Sequence, residues 1–390
     1  MDFHFHVREA DRPRHIQNPQ DDDSRFATRT FTFLRVCRYW NEVSVGFPRL
    51  WSYWVAGADK AWSLFNSRSK GTPILLTWRP YLPNSARDIL MDPAIPNRIH
   101  RLDFIGSSDQ LAHLLGAFDQ CPPSNLSSIR LQISPPDSRE PREQLSRFLS
   151  FSFPKLTRLD LLNFLPSLSS PILATPDLTS LKFSLSYIIG EPYTLSQFSQ
   201  ILQRHPNLQE LDLDCGAIPL PGPPSALAPF VLPRLSDLRL HGEEGAILRF
   251  IDFIGMSSPL HDVTIRFDRN FNLSIRALAS TMQTILAIYY GSQGLNYPRT
   301  VNRLAISYNP QERCITFDAQ SHHSAMSNVR SNLRFQFDGI SASEGINTVK
   351  AGIPLFPLDD LREFAADGFA SYGDWYRRVF QRMKNRSRLR

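Results

Sequence analysis

Leu208-Gln209-Glu210-Leu211-Asp212-Leu213 carries leucine at its first, fourth and sixth positions. Leu211 and Leu213 are two residues apart, so in an extended strand both point to one side while Asp212 points to the other. Pro206 stands two residues before Leu208. Proline cannot continue a helix and biases the residue before it toward extended geometry, so the stretch reads as a helix stop followed by a half-buried strand.

The same apolar-x-x-apolar-x-apolar core recurs in Ile99/Leu102/Phe104, Leu126/Ile129/Leu131, Leu156/Leu159/Leu161, Leu178/Leu181/Phe183, Leu235/Leu238/Leu240 and Leu260/Val263/Ile265. First positions lie 22 to 30 residues apart, which overlaps the period of roughly 20–29 residues that marks leucine-rich repeats. An eighth match, Val301/Leu304/Ile306, follows after a gap of 41, and a worn ninth lies at Leu333, Phe335 and Phe337. Pro154, Pro176 and Pro233 each stand two residues before the first leucine of a unit, and Pro259 stands one before. Between the units, Leu111/Leu114/Leu115/Phe118, Leu195/Phe198/Ile201/Leu202 and Ile247/Phe250/Ile251/Ile254 make amphipathic helix stripes, and the longest runs from Ile275 through Met282, Ile285 and Leu286 to Tyr289. The expected fold is therefore α/β, a leucine-rich-repeat solenoid over residues 97–390 with parallel strands inside, helices outside and a right-handed path.

Such an array buries the leucines and leaves a row of free side chains on the other face of the strands. Outward positions are Asp103, Arg130, Gln132, Asp160, Lys182, Ser184, Asp212, Asp214, Arg239, His241 and Arg266. Repeat arrays bind partners on such faces, so Asp160, Lys182, Asp212, Asp214, Arg239, His241 and Arg266 are the candidate contacts with a target protein. They suggest an acidic centre at Asp160, Asp212 and Asp214 with a basic flank at Arg239 and Arg266.

The net charge of +6 is local. Arg377, Arg378, Arg382, Lys384, Arg386, Arg388 and Arg390 fall in the last fourteen residues with no Asp or Glu among them, so the body is close to neutral. A terminal cluster is not the spread basic face of a nucleic-acid binder, and neither nucleic acid nor membrane is an expected partner. Cys37, Cys121, Cys215 and Cys314 are far apart, with no CxxC pair, and read as reduced thiols. The first residues lack the apolar core of a signal peptide, and no apolar run approaches the roughly 20 residues of a membrane span. The expected compartment is cytoplasmic or nuclear. No phosphate loop, GxGxxG, HExxH or GxSxG is present. His4-x-His6 and His322-His323 lack supporting ligands at metal spacing, so no cofactor, no metal and no enzymatic activity are expected.

Ahead of the repeats, residues 33–54 read Phe-Leu-Arg-Val-Cys-Arg-Tyr-Trp-Asn-Glu-Val-Ser-Val-Gly-Phe-Pro-Arg-Leu-Trp-Ser-Tyr-Trp. Phe33, Val36, Cys37, Trp40 and Val43 make a helix stripe, Gly46 closes that helix, and Pro48 opens a short apolar segment with Leu50 and Trp51. Leu34-Arg-Val-Cys-Arg-x-Trp40 followed by Pro48-Arg-Leu-Trp51 resembles the second half of an F-box, in the form common in large fungal families. Arg68-Ser-Lys-Gly-Thr-Pro-Ile-Leu-Leu-Thr-Trp78 and then leucine-rich repeats continue the resemblance. The resemblance implies a substrate-recruiting subunit of a cullin–RING ubiquitin ligase. In such a subunit the F-box docks on a Skp-type adaptor, and the repeats present an unidentified target protein. Carried over, the docking residues are Leu34, Val36, Cys37, Trp40, Val43, Pro48, Leu50 and Trp51. Nothing matches the Leu-Pro-x-Glu helix that begins an F-box, and a repeat scaffold with a vestigial F-box and no ubiquitin role is the alternative.

The expected organisation is a polar, disordered extension over 1–30, a partial F-box-like helical module over 31–56, a connecting segment over 57–96, and the repeats over 97–390. Leu358, Leu361 and Phe364 look like a worn strand unit. Trp375, Tyr376, Val379, Phe380 and Met383 look like a helix face with no strand after it, so the chain is expected to stop inside a repeat.

Overall fold

A computed structural model describes residues 37–55, 59–79, 89–133, 141–189, 193–217, 230–255, 260–267, 281–286, 300–309, 311, 313–322, 330–338, 342–356 and 363–367. Helix α1 (Arg38–Gly46) and a 3-10 turn (Pro48–Trp51) lead into strand β1 (Tyr53–Val55), α2 (Asp59–Ser69) and β2 (Ile74–Trp78). Then come β3 (Ile99–Gly106), α3 (Ser108–Gln120), β4 (Ser128–Ile133), α4 (Pro141–Leu149), β5 (Arg158–Phe164) and β6 (Ser180–Ile189). Next are α5 (Leu195–Gln203), β7 (Glu210–Asp214), β8 (Phe230–Val231), β9 (Asp237–Gly242), α6 (Glu244–Phe253), β10 (Ile254–Gly255) and β11 (Asp262–Phe267). Last are β12 (Thr300–Asn309), β13 (Cys314–His322), β14 (Arg330–Phe337), α7 (Ala342–Gly352) and β15 (Glu363–Asp367).

Thirteen of these strands form one sheet in the order β1-β2-β3-β4-β5-β6-β7-β9-β11-β14-β13-β12-β15. From β1 to β14 every neighbouring pair is parallel. The protein is thus an α/β fold with a long, mostly parallel sheet alternating with helices in a repeat-like arrangement. The hexads set the register: Leu102, Ile129, Leu159, Leu181, Leu211, Leu238 and Val263 lie side by side, as do Phe104, Leu131, Leu161, Phe183, Leu213, Leu240 and Ile265. All are buried. The stripes Leu111/Leu114/Leu115/Phe118 of α3 and Phe198/Ile201/Leu202 of α5 close the other side of the same core. Both helices start in capping boxes, Ser107 with Gln110 and Thr194 with Gln197, which satisfy otherwise orphaned N–H groups. The shortest interval, between Leu156 and Leu178, holds only a 3-10 turn at Pro171–Ala174, since its few residues leave no length for a full helix.

The entry to each strand is stitched to the previous unit. The backbone N–H groups of Ser127, Thr157, Thr179, Gln209, Ser236 and His261 donate to the carbonyls of His100, Ser127, Thr157, Thr179, Gln209 and Ser236. The hydroxyls of Ser127, Thr157 and Thr179 donate to the same carbonyls at 3.1 Å.

Several expectations change. The sheet begins before the first hexad: β1 and β2 belong to it, so the stretch 57–96 supplies a helix and a strand of the same layer. The eighth hexad forms β12, which runs in the repeat direction but does not stack on β11. The worn ninth, β14, takes that place, with Val263 beside Leu333 and Ile265 beside Phe335. The cause is the turn after Asn309, only four residues long, which returns the chain antiparallel as β13 and then β14. Of the worn unit after residue 357, Phe364 lies on β15 beside Leu304, while Leu358 and Leu361 lie outside the described residues. So do Ile275, Leu278, Tyr289, the expected helix over 375–383 and the extension 1–30. Residues 281–286 are helical, with Met282, Ile285 and Leu286 buried. Among the described residues no helix is long and apolar enough to cross a membrane, and no group of three or more His, Cys, Asp or Glu could hold a metal ion. None of the four cysteines forms a disulfide.

Candidate partner-binding face and N-terminal docking segment

The face of the sheet opposite the leucines is mostly polar, with Ile105 and Leu162 as half-buried exceptions, and is arranged in rows because parallel strands in register put equivalent residues side by side. One row runs Asp103, Arg130, Asp160, Lys182, Asp212, Arg239. Its charges alternate, and neighbours pair. Arg130 lies 3.4 Å from Asp160 and Lys182 donates to Asp212 at 2.6 Å. At its start Arg79 reaches Asp103 at 3.6 Å, and beyond Arg239 the row continues through Thr264 to Arg334, which donates to Asp318 on β13 at 2.6 Å. Arg239 instead reaches Asp262 at 3.9 Å. Each half-buried cross-strand pair contributes about 0.2–1 kcal/mol. The expected acidic centre is therefore corrected: Asp160 and Asp212 are neutralised by the basic residue on the preceding strand.

Asp214, His241 and Arg266 continue a second row. Asp214 was expected to be free, but it is buried at 6% exposure, because the chain turns sharply after it and Gly216 N–H donates to its carboxylate at 3.0 Å. His241 Nδ1 lies 3.5 Å from the same carboxylate. Arg266 donates to Asp338 at 2.6 Å. Burial pushes the Asp338 carboxyl up, but hydrogen bonds from Gln336 and Arg266 and the Arg266 charge outweigh it and hold the group below the ordinary carboxylate range. Gln132 and Ser184 are half-buried members of the face.

On the other side of the first row lies a third, Arg101, Ser128, Arg158, Ser180, Glu210, Asp237 and Asp262. The outward positions expected from the sequence do not include it, because they lie between and after the last two leucines of each hexad. The position just before the fourth residue of each hexad was the signal. Burial raises the Asp262 carboxyl, and the nearby charge of Asp237 adds to that against the pull of Arg239.

The N-terminal segment combines exposed and buried apolar residues. Cys37 stands at the N-cap position of α1 without a side-chain hydrogen bond and is exposed. Tyr39, Val43, Phe47 and Leu50 are exposed at 70%, 40%, 49% and 41%, while Pro48 is half-buried. Tyr39 and Phe47 were missed, although with Val43 they fall four residues apart on a helical path. Trp51 corrects its expected docking role: it is 3% exposed, donates Nε1–H to the Ser44 carbonyl at 2.7 Å, packs edge-on against Phe65, and lies under the Arg68 guanidinium. The following strand ties the segment to the sheet, with Leu75 N–H donating to the Ser52 carbonyl at 2.8 Å. Arg98 then clamps α2, donating to Asn66 Oδ1 and Ser69 Oγ at 2.5 Å each. Trp40 lies on α1; Leu34 and Val36 fall outside the described residues.

No protein-family model, curated protein or solved structure matches the chain.

Proposed function

We propose that the protein recruits a target protein on the polar face of a leucine-rich-repeat sheet and docks through residues 37–50 onto a Skp-type adaptor of a cullin–RING ubiquitin ligase. The observation that carries the docking half is the exposure of Tyr39, Val43, Phe47 and Leu50 over two short elements. Contiguous large apolar side chains left in water mark protein contact sites. The repeat hexads, their proline stops and the helices between them support the leucine-rich-repeat half. Adaptor docking accords with the F-box-like run Leu34-Arg-Val-Cys-Arg-x-Trp40 and Pro48-Arg-Leu-Trp51. The part played by Trp51 shifts from adaptor contact to holding α1 against α2.

A second reading is favoured by those same internal contacts of Trp51 and by the Leu75–Ser52 hydrogen bond. On it the segment only caps the first strand of a protein-binding scaffold, with no ubiquitin role, since the ends of repeat arrays need covering. Titration of the chain with purified Skp-type adaptor separates the two. Docking predicts saturable binding that Val43→Asp with Leu50→Asp weakens about tenfold or more without loss of folding. A cap predicts no binding before or after the substitutions, and that result sinks the ubiquitin reading.

A further inference from the structure

The pairs Arg130–Asp160 and Lys182–Asp212 neutralise much of the central row from within, whereas the row beside it holds no ion pair of its own. There Arg101 and Arg158, separated by Ser128, stand on β3 and β5, and Glu210, Asp237 and Asp262 stand on the adjacent strands β7, β9 and β11. Like charges directly opposite each other across strands about 4.8 Å apart are destabilising, and here three acids follow one another. Asp262 is relieved by Arg239 at 3.9 Å, and Asp237 by the Ser236 hydroxyl. Among the described residues no ion pair reaches Arg101, Arg158 or Glu210. Arg101 Nε is shielded from solvent with no hydrogen-bond acceptor. The row thus has a basic half without ion-pair partners and an acidic half in which Asp262 alone meets a cation, Arg239, while Glu210 and Asp237 have no ion pair, with the small side chain of Ser180 between the two halves.

From this we infer that the row takes an extended, charge-segregated segment of a partner protein lying across the strands. Its acidic side chains lie over Arg101 and Arg158, and its basic side chains over Glu210, Asp237 and Asp262. The inference rests on the reading of this face as the partner surface and names the chemistry of what binds there. Six strand steps separate Arg101 from Asp262 in the sheet order, roughly 29 Å, which about nine residues of extended chain span at about 3.3 Å each. A polyanion is excluded by the acidic half, which repels phosphates along half the row. The paired central row forms a polar floor that adds little attraction of its own, so charge order selects the occupant.

The test is an array of nine-residue peptides, all with three acidic, three basic and three serine residues, arranged as segregated or alternating, plus uniformly basic peptides. It is probed with the full folded chain. The segregated order is expected to be retained about tenfold better than the alternating order, and the preference is expected to fade in 1 M salt, where screening acts over about 3 Å. Arg101→Glu with Arg158→Glu makes the row acidic throughout and should transfer the preference to uniformly basic peptides; Arg158→Glu alone, at an exposed position, should move it part of the way. Equal retention of both orders, no retention of any peptide, or an unchanged pattern in the folded variants overturns the inference. Ser184→Trp obstructs the face without altering either pole. Peptides lost through Ser184→Trp but indifferent to charge order would leave the partner face standing and remove only the charge chemistry, whereas retention insensitive to every variant would remove both.

Discussion

Leu211 and Asp212 are adjacent in sequence and meet opposite environments. Leu211 is 1% exposed between Leu181 and Leu238, while Asp212 sits half-exposed on the other face with Lys182. Leu211→Ala should lower unfolding free energy by about 2–5 kcal/mol through lost burial and the cavity left behind. Asp212→Asn should cost less than about 1 kcal/mol, because it removes one partner of a partly solvated pair. Chemical denaturation of both variants checks this, and equal losses would mean that the faces are assigned the wrong way round. Asp262 supplies a pH test with a defined sign. Its folded-state carboxyl is raised above the ordinary value by burial and by Asp237, so its ionised form costs stability, and that cost appears as pH rises through the raised value. Asp262→Asn is therefore expected to raise the unfolding midpoint at pH 7 and to lose that advantage below the ordinary carboxylate range near pH 4. A midpoint lowered at pH 7 would show that the Arg239 pair dominates instead.

At the scale of elements, the hydroxyl stitches explain why serine or threonine follows the first leucine in Leu126-Ser127, Leu156-Thr157 and Leu178-Thr179. Thr179→Val keeps the shape and removes the hydrogen bond from its hydroxyl to the Thr157 carbonyl. It should cost about 1 kcal/mol, read as a shift in denaturation midpoint at unchanged slope. Much of the strand layer was legible because each hexad joins a strand to its own buried face within six residues. The three helix stripes beginning at Leu111, Leu195 and Ile247 were legible for the same reason, except that Ile254, expected on the third, opens β10. What was not legible lacked such a local signal. Tyr53–Val55 and Ile74–Trp78 enter the sheet without any hexad, through packing of Trp54 on Trp62 at 4.3 Å and pairing of Leu75 with Arg101. The exchange of β12 for β14 beside β11 depends on a turn far along the chain, and Val301/Leu304/Ile306 matches the repeat pattern wherever its strand is placed. The candidate site was half-legible. Alternation told which side chains leave the core, but the neutralising pairs depend on which strand lies beside which.

At the scale of the whole molecule, α1, α2 and the strand stack are joined through Trp51, Ser52 and Arg98, so the segment read as adaptor-docking and the face read as partner-binding share one framework. Arg98→Ala removes the donors that bind Asn66, Ser69 and the Thr72 carbonyl. It should loosen α2 and raise amide hydrogen exchange over residues 59–69, while exchange in β5 to β9 stays slow. Uniformly faster exchange would show instead that the clamp holds the whole stack. The proposal that the polar face is where a partner protein binds is tested most directly by site-specific photo-cross-linking of the full chain in cells. A photoreactive residue is placed at Gln132 or Ser184 on that face, or at Gln203 on the exposed end of α5. The account predicts protein adducts from the first two positions that weaken with Arg158→Glu, and none from Gln203; adducts from Gln203 alone would contradict it.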